Sequence, residues 1–385
     1  MKINYKILLA AVVFSIIGNS CKDKDEVSKV NETPDYLNKN SGWEHVFKAD
    51  VPDDAGYMKP ATYAHDASSL AINNENLIFH TRSERNVNGV IVFDHFHTIP
   101  LNDFSKAVSV YSRGDLVNHY IFFDNTSVIY KGKVDYIGVS TFEISLEGSD
   151  GSKRYKKTAS PGSKFLRTST NKFYHPGNGY NFSEIAEGGV GETYNNPLYP
   201  AMIQNDYFFS PATNLLHTIY NYEGTLQVSV ASIETKSLSS VAWYDDSKNL
   251  AWSDSTVLKV GESNDGITFP VLIYEPISGN IILLNFNTIT REFQKIFQKT
   301  GLSQADFIEV SETNEVYLSK DFTTLKKYTS QGETNISLDV INKNLSNSHQ
   351  YHVNKLWLKK GKIYASVLYY PAKPEIPHIN LIRLK

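Results

Sequence analysis

Short runs of apolar residues, each about the length of a β-strand, recur from about residue 60 to the C-terminus. Examples are Val90–Phe93, Tyr120–Phe123, Leu226–Val230, Ile281–Phe286 and Ile363–Leu368. Residues that favour turns separate these runs, and no long stretch keeps the 3.6-residue period of an amphipathic helix. The pattern therefore predicts an all-β chain.

The best-defined stretch runs from Val271 to Phe297. Glu275–Asn280 joins two apolar runs through Pro, Ser, Gly and Asn, which are residues that supply the backbone angles of a tight hairpin. Asn287–Thr290 is a polar corner, and the strand predicted over Glu292–Phe297 follows it. This stretch predicts a strand, a hairpin, a second strand, a corner and a third strand.

Units of about 40 to 50 residues with three or four such runs repeat weakly along the chain. This period and strand number resemble a β-propeller, and the resemblance covers roughly residues 60 to 385. It implies about six or seven blades in a domain over residues 46–385. The chain carries no blade signature of a particular propeller family, so a pair of β-sandwich domains stays the alternative.

One segment interrupts this rhythm. Ser160–Pro200 is rich in Gly, Asn, Tyr and Pro and has almost no alternating apolar pattern, so a long irregular loop is expected over residues 160–200. Long loops are frequent binding sites, and mixed aromatic and amide side chains suit contact with carbohydrate or peptide. An inter-blade connection that packs its aromatics on the body is the alternative. The contact candidates are Tyr174, His175, Asn178, Tyr180, Asn181 and Phe182.

The N-terminus carries an export signal. Lys2 and Lys6 precede an apolar run over Ile7–Ile17, and this run is about half the length that spans a membrane. Residues 1–20 are therefore predicted to be a signal peptide. Residues 21–45 are predicted to be a flexible tether, because residues 27–40 are mostly polar with few large apolar side chains.

Cys21 is the only cysteine in 385 residues, and it stands at the end of this signal. Gly18-Asn19-Ser20-Cys21 resembles the lipobox of bacterial lipoproteins, in the looser form typical of the Bacteroidota, where Gly18 replaces the usual Leu, Val or Ile. The resemblance implies that Cys21 carries lipid, with palmitate among its acyl chains. An ordinary signal peptide with an incidental cysteine is the alternative.

The residues after Cys21 refine the predicted location. Lys22, Asp23, Lys24, Asp25 and Glu26 form a charged run. It resembles the lipoprotein export signal of Bacteroidota, which directs lipoproteins to the outer face of the outer membrane. The expected location is therefore the outer membrane, lipid-anchored and facing the cell exterior.

Composition and charge exclude one class of partner. Two lysines lie in residues 1–20, so the formal charge of −3 for the whole chain becomes −5 from Cys21 onward. A net acidic chain without a basic stretch does not suit nucleic acid. The 24 Tyr and 20 Phe agree with a β-rich fold, because aromatic side chains favour strands.

Chemical motifs are sparse. His95 and His97 alternate on one predicted strand, close in sequence to Asp94, and with His119 they are weak candidates for a metal site. A half-exposed strand is the favoured interpretation of this alternation. Gly188–Glu192 lacks the lysine and the strand–helix context of a phosphate-binding loop. No cofactor is predicted, and the chain has no Gly-x-Ser-x-Gly nucleophile motif.

These features predict a non-enzymatic surface lipoprotein that acts as a binding or accessory subunit of a nutrient-uptake transporter system. Its expected partner is an outer-membrane barrel or transporter complex, and its ligand is not indicated. The role comes from analogy with lipoproteins of similar location. A propeller enzyme that acts on glycans, or a structural subunit of an outer-membrane export or assembly complex, is the alternative.

Overall fold

The computed structural model describes residues 34–50, 63–73, 75–86, 90–115, 119–123, 129–136, 142–148, 155–159, 166–167, 173–176, 182–185, 193–194, 205–232, 238–244, 252–371 and 377–385. Within these residues, strands account for nearly all regular structure. The helical elements of the same ranges are two 3₁₀ turns, Phe104–Lys106 and Ser348–Gln350. The predicted all-β class is confirmed.

The described strands form seven antiparallel sheets of four strands each. In six of them, the four strands follow one another directly in the chain. The first of these sheets contains β2 (Tyr63–Asn73), β3 (Asn76–Asn86), β4 (Val90–Pro100) and β5 (Val108–Asp115). The second contains β6 (His119–Phe123), β7 (Ile129–Tyr136), β8 (Phe142–Gly148) and β9 (Tyr155–Ala159). The third contains β10 (Leu166–Arg167), β11 (Phe173–Pro176), β12 (Phe182–Ile185) and β13 (Thr193–Tyr194). The fourth contains β14 (Asn205–Ser210), β15 (Leu215–Tyr222), β16 (Thr225–Ser232) and β17 (Leu238–Tyr244). The fifth contains β18 (Val257–Val260), β19 (Thr268–Glu275), β20 (Asn280–Asn287) and β21 (Glu292–Lys299). The sixth contains β22 (Phe307–Val310), β23 (Val316–Lys320), β24 (Thr324–Tyr328) and β25 (Glu333–Ser337).

The seventh sheet joins the two ends of the compact body. Its order is β1–β28–β27–β26, from β1 (Trp43–Asp50), β26 (Tyr351–Lys359), β27 (Lys362–Tyr369) and β28 (His378–Leu384). We call it the closing sheet, because an N-terminal strand completes three C-terminal ones. Trp43 pairs with Leu384 at one end of the β1–β28 ladder, and Asp50 pairs with His378 at the other.

The first strands of five neighbouring pairs of sheets contact one another. Contacts link β10 to β14, β14 to β18, β18 to β22 and β22 to β26, and the succession returns to the start through β26 and β2. We call these first strands the inner strands. Successive four-stranded sheets that close in this way define a β-propeller. The predicted propeller is confirmed with seven sheets, and the alternative of paired sandwiches does not fit this strand order.

Apolar side chains fill the spaces between neighbouring sheets. On β19, Val271 and Ile273 pack towards the β14–β17 sheet, whereas Leu272 and Tyr274 pack towards the β22–β25 sheet. Side chains of a strand alternate between its two faces, so a strand covered on both sides needs an unbroken apolar run. The run Thr268–Glu275 supplies it, and the predicted hairpin over Glu275–Asn280 is confirmed.

Gly279 shows why this hairpin requires glycine. Its φ is +65°, a conformation that side chains rarely adopt. A Cβ added there would lie 2.3 Å from the carbonyl oxygen of Leu302, so the following segment packs directly on the turn. Glycine therefore meets both a conformational and a steric requirement at this position.

Two sequence-based boundaries need correction. The compact body starts at Asp35, so the predicted tether over residues 21–45 is too long at its C-terminal end. Tyr36 and Leu37 are buried, and Leu37 forms a bridge with Ile341. Burial of these two large apolar side chains contributes favourable free energy, which offsets the conformational entropy lost when the polar residues around them become ordered.

The expected irregular loop over residues 160–200 is also wrong in its described parts. Strands β10 to β13 lie in this range and form a sheet of their own. They are two to four residues long. Strands this short do not produce a visible alternation of apolar and polar residues, which is why the sequence pattern missed them.

Candidate functional site: the inner strands

The predicted lipidation and export residues lie outside the described part of the chain. Cys21 and the run Lys22, Asp23, Lys24, Asp25 and Glu26 all precede residue 34, where the described residues begin. Lipidation and export of the chain therefore stay predictions.

The predicted aromatic contact segment is divided between two paired strands. Tyr174 and His175 lie on β11, and Phe182 lies on β12, where it pairs with Pro176. Asn178, Tyr180 and Asn181 fall in the connection between these strands, outside the described residues. The backbone thus places three of the six candidates in a sheet, and their role in contacts stays a prediction.

His95 and His97 are buried, which corrects the expectation of a half-exposed strand. Their exposed fractions are 2% and 3%, and their rings stack with centroids 6.5 Å apart. Both ring nitrogens of His97 contact hydroxyl groups, with Nε2 3.1 Å from Thr81 Oγ1 and Nδ1 2.8 Å from Ser109 Oγ. In this arrangement His97 has no ring nitrogen available for a metal.

The described residues contain no cluster of three or more His, Cys, Asp or Glu side chains that suits a metal ion. The side chains of Asp94 and His119, which completed the weak metal hypothesis, lie outside the described set. His97 instead holds a structural position beside β1, with its ring 4.8 Å from that of Phe47.

Charged side chains link the inner strands to one another. The Asp206 carboxylate on β14 accepts a hydrogen bond from the backbone N–H of Val260 on β18 at 2.7 Å. Lys259 on β18 donates in turn to the Ile308 carbonyl at 2.8 Å and to Glu309 Oε1 at 2.7 Å, both on β22. Each charge therefore reaches one inner strand further around the propeller.

These contacts have a physical cause. An inner strand is the edge of its sheet, so half of its backbone N–H and C=O groups have no partner within the sheet. Asp206 covers one such donor, and Lys259 covers one such acceptor. Leaving a backbone group unpaired costs roughly 1–3 kcal/mol where water is excluded, which favours charged residues at these positions.

The closing sheet makes the equivalent contact with β2. Lys355 on β26 donates to the carbonyl oxygen of Ala67 on β2. Both strands are irregular at this point, since the β26 register shifts between Val353 and Lys355 and the β2 register shifts between Ala67 and Ser69. β-Bulges re-aim side chains and are frequent next to functional sites. The seam between the closing sheet and the first sheet thus has two bulges that lie beside the Lys355–Ala67 bond.

The inner strands leave polar atoms partly accessible. The side chains of Lys259 and Glu309 are 34% and 30% exposed although they are paired. Their charges compensate each other, which suits a polar contact surface. We regard the inner strands, from β14 through β26 to β2, as the candidate contact site.

Sequence reasoning missed these residues because their partners are distant along the chain. Asp206 and Val260 are 54 positions apart, and Lys355 and Ala67 are 288 positions apart. The four residues lie on four different strands. No spacing in the sequence marks them, so only the packing of successive sheets brings them together.

A displaced pKa is found in the apolar seam between the β14–β17 and β18–β21 sheets. Burial lowers the pKa of His217 to about 4, although a hydrogen bond with the Leu215 carbonyl opposes this shift. The His217 ring stacks on Phe208 with centroids 4.6 Å apart. His217 is thus a neutral core residue at physiological pH.

No protein-family model matches the chain, and no curated protein matches it either. Solved structures are similar in fold only. The Dos1 propeller has 10% identity and a TM-score of 0.46, with 85% of this chain and 95% of that chain covered. A putative 6-phosphogluconolactonase from Bacteroides fragilis has 7% identity and a TM-score of 0.43, with 76% and 98% covered.

One of two analysed prolyl endopeptidases has 10% identity and a TM-score of 0.42, and the match covers 83% of this chain but 49% of the endopeptidase chain. Identities and scores this low carry no argument about activity. Within the described residues, no helix is both long enough and apolar enough to cross a membrane.

Proposed function

We propose that this chain is an outer-membrane lipoprotein, anchored through lipid on Cys21 and exposed at the cell surface. Its propeller body acts as a non-enzymatic binding or accessory subunit of a nutrient-uptake transporter system. The observation that carries the proposal is the single cysteine at the end of the predicted signal peptide, close in the chain to the start of the compact body at Asp35.

The small number of residues between Cys21 and the compact body supports a partner in the membrane. Residues 22–34 can span at most about 45 Å when fully extended. A body held within this distance of the membrane can contact an outer-membrane barrel or transporter. The partly exposed charges of the inner strands, such as Lys259 and Glu309, supply a polar surface for such contacts.

The anchor is tested in a Bacteroidota host that expresses the full chain. Metabolic labelling with a palmitate analogue should label the wild type, and Cys21→Ala should remove both the label and the membrane association. Ser15→Ala, within the apolar run of the signal, is the matched control and should leave the label unchanged. A Cys21→Ala protein that stays in the membrane fraction would contradict the anchor.

Surface exposure and partnership need separate readouts. Protease added to whole cells should digest the wild type, and replacement of Lys22, Asp23, Asp25 and Glu26 by Ala should protect it. Cross-linking followed by affinity purification of the lipidated chain should recover an outer-membrane barrel or transporter. If only soluble proteins are recovered, the accessory role is wrong even where lipidation holds.

A further inference from the structure

A cavity of about 100 Å³ lies between the β22–β25 sheet and the segment that precedes it. Its lining includes the apolar side chains of Leu318 and Ala305 and the ring of Tyr328. Lys320 and Lys326 line it together with the hydroxyl-bearing residues Thr323 and Thr324. This site is separate from the inner-strand contacts and does not depend on lipidation of the chain.

The cavity wall is held in place by the neighbouring sheet. Ala305 N donates to the Tyr274 hydroxyl at 3.0 Å, and this hydroxyl donates to the Ser303 carbonyl at 3.2 Å. Leu302 N donates to the Gly279 carbonyl at 2.9 Å, and Asp306 N donates to the Ser319 carbonyl at 2.9 Å. The segment 302–306 is thus fixed at both ends, so the cavity exists before any ligand binds.

The two lysines differ from their neighbours on the same sheet. Lys327, next to Lys326 on β24, projects to the other face and binds Glu315 at 3.1 Å. Lys326 pairs in register with Leu318, and Lys320 pairs with Thr324, so both lysines lie on the face that forms the cavity. Within the described residues, neither Lys320 nor Lys326 forms an ion pair with a carboxylate. Asp306, which follows Ala305, accepts a hydrogen bond from Asp321 N.

We propose that this cavity binds a small organic anion that carries a carboxylate, such as a sugar acid. Two ammonium groups attract a carboxylate, the hydroxyl and amide side chains of the lining suit the polar groups of a sugar, and its apolar side chains suit the carbon skeleton. Inorganic phosphate fits less well, because it has no apolar part to place against Leu318. The volume admits one such group rather than a chain.

The test is to titrate ligands into the full-length, detergent-solubilised protein and to measure binding by calorimetry or saturation-transfer NMR. D-Glucuronate is the probe, and D-glucose and inorganic phosphate are the comparison ligands. We expect saturable millimolar binding of glucuronate and much weaker binding of glucose. The double variant Lys320→Gln/Lys326→Gln should weaken glucuronate binding by about tenfold or more, since two ion pairs are lost.

Two further variants keep the result decisive. Ala305→Leu fills the cavity without removing charge and should also weaken binding. Lys295→Gln, on β21, changes an exposed lysine that contacts Gln298 and should leave binding unchanged. The proposal fails if glucuronate does not bind, or if neither the double variant nor Ala305→Leu weakens its binding. Phosphate binding as tight as that of glucuronate would overturn the assignment to an organic carboxylate.

Discussion

The β18–β21 sheet and the closing sheet are both antiparallel and four-stranded, but their strands come from the chain in different ways. The β18–β21 sheet comes from one continuous segment, and its strands β19 and β20 are almost entirely buried. The closing sheet joins both ends of the compact body. Arg383 and Glu44, which are 339 positions apart, contact each other across its outer pair of strands.

This comparison shows that local sequence signals and long-range contacts can produce the same sheet. The β18–β21 sheet needs only hairpins, whose ends are close in the chain. Pairing of β1 with β28 instead requires closure of a loop that includes almost the whole body, and this ordering has an entropic cost. The closing sheet therefore needs strong side-chain contacts on β1.

Trp43 supplies the strongest of these contacts and allows the first prediction. It is 1% exposed, and its indole N–H donates to the Ser337 carbonyl at 3.2 Å. Trp43→Ala should lower the free energy of unfolding by about 3–5 kcal/mol, as large-to-small changes of buried aromatics do. Urea denaturation followed by circular dichroism measures this loss.

Two variants calibrate the Trp43 measurement. Phe286→Ala, on β20 of the β18–β21 sheet, should cost a similar amount because Phe286 is fully buried. Trp243→Ala should stay within about 0.5 kcal/mol, because Trp243 is 64% exposed on β17. If Trp43→Ala changes the free energy of unfolding as little as Trp243→Ala does, packing of β1 does not stabilise the body. The contrast drawn between the two sheets would then be wrong.

The second prediction concerns pH and the apolar seam beside the β18–β21 sheet. The pKa of His217 is about 4 in the folded protein, below its ordinary value of 6.5. Between these values the unfolded chain binds a proton that the folded chain does not, so stability falls as pH drops from about 6.5 towards 4. The full loss from this histidine is about 3 kcal/mol, and it levels off below the folded-state pKa.

The variant His217→Phe isolates this contribution. It keeps an aromatic ring against Phe208 and removes the titrating group. Urea unfolding at neutral pH and near pH 4.5 should show a smaller loss for the variant than for the wild type. Equal losses in the two proteins would mean that His217 is protonated in the folded state.

The smallest expected effect concerns the charged contacts of the inner strands, which occur in both regions. Lys259→Gln removes the bonds to Ile308 and Glu309, and Lys355→Gln removes the bond to Ala67. Each should cost about 1 kcal/mol or less, because water screens partly exposed charges and can replace a lost bond to a carbonyl oxygen. Thermal unfolding should show small and similar shifts for the two variants, and no measurable shift for Lys295→Gln. A loss of several kcal/mol in one of them would show that the two seams are not equivalent.

Much of the fold could be predicted from local patterns. The apolar runs Leu226–Val230, Ile281–Phe286 and Ile363–Leu368 all lie within strands, and the number of blades falls in the expected range. The sheet of β10–β13 was missed, because its strands are too short to show a period. The inner-strand contacts and the cavity beside the β22–β25 sheet were missed as well, because their residues come from separate strands and loops.

The sequence by itself determined most of the segments that become strands, the hairpin over Glu275–Asn280, and a single cysteine at the end of a predicted signal peptide. These properties depend on neighbouring residues, so they are visible in a linear pattern. Only the tertiary structure decided that Tyr36 and Leu37 belong to the body, that β1 completes the closing sheet, and that Lys320 and Lys326 line one cavity. The physical reason is that these contacts join residues far apart in the chain, and their free energy arises only when the sheets pack together.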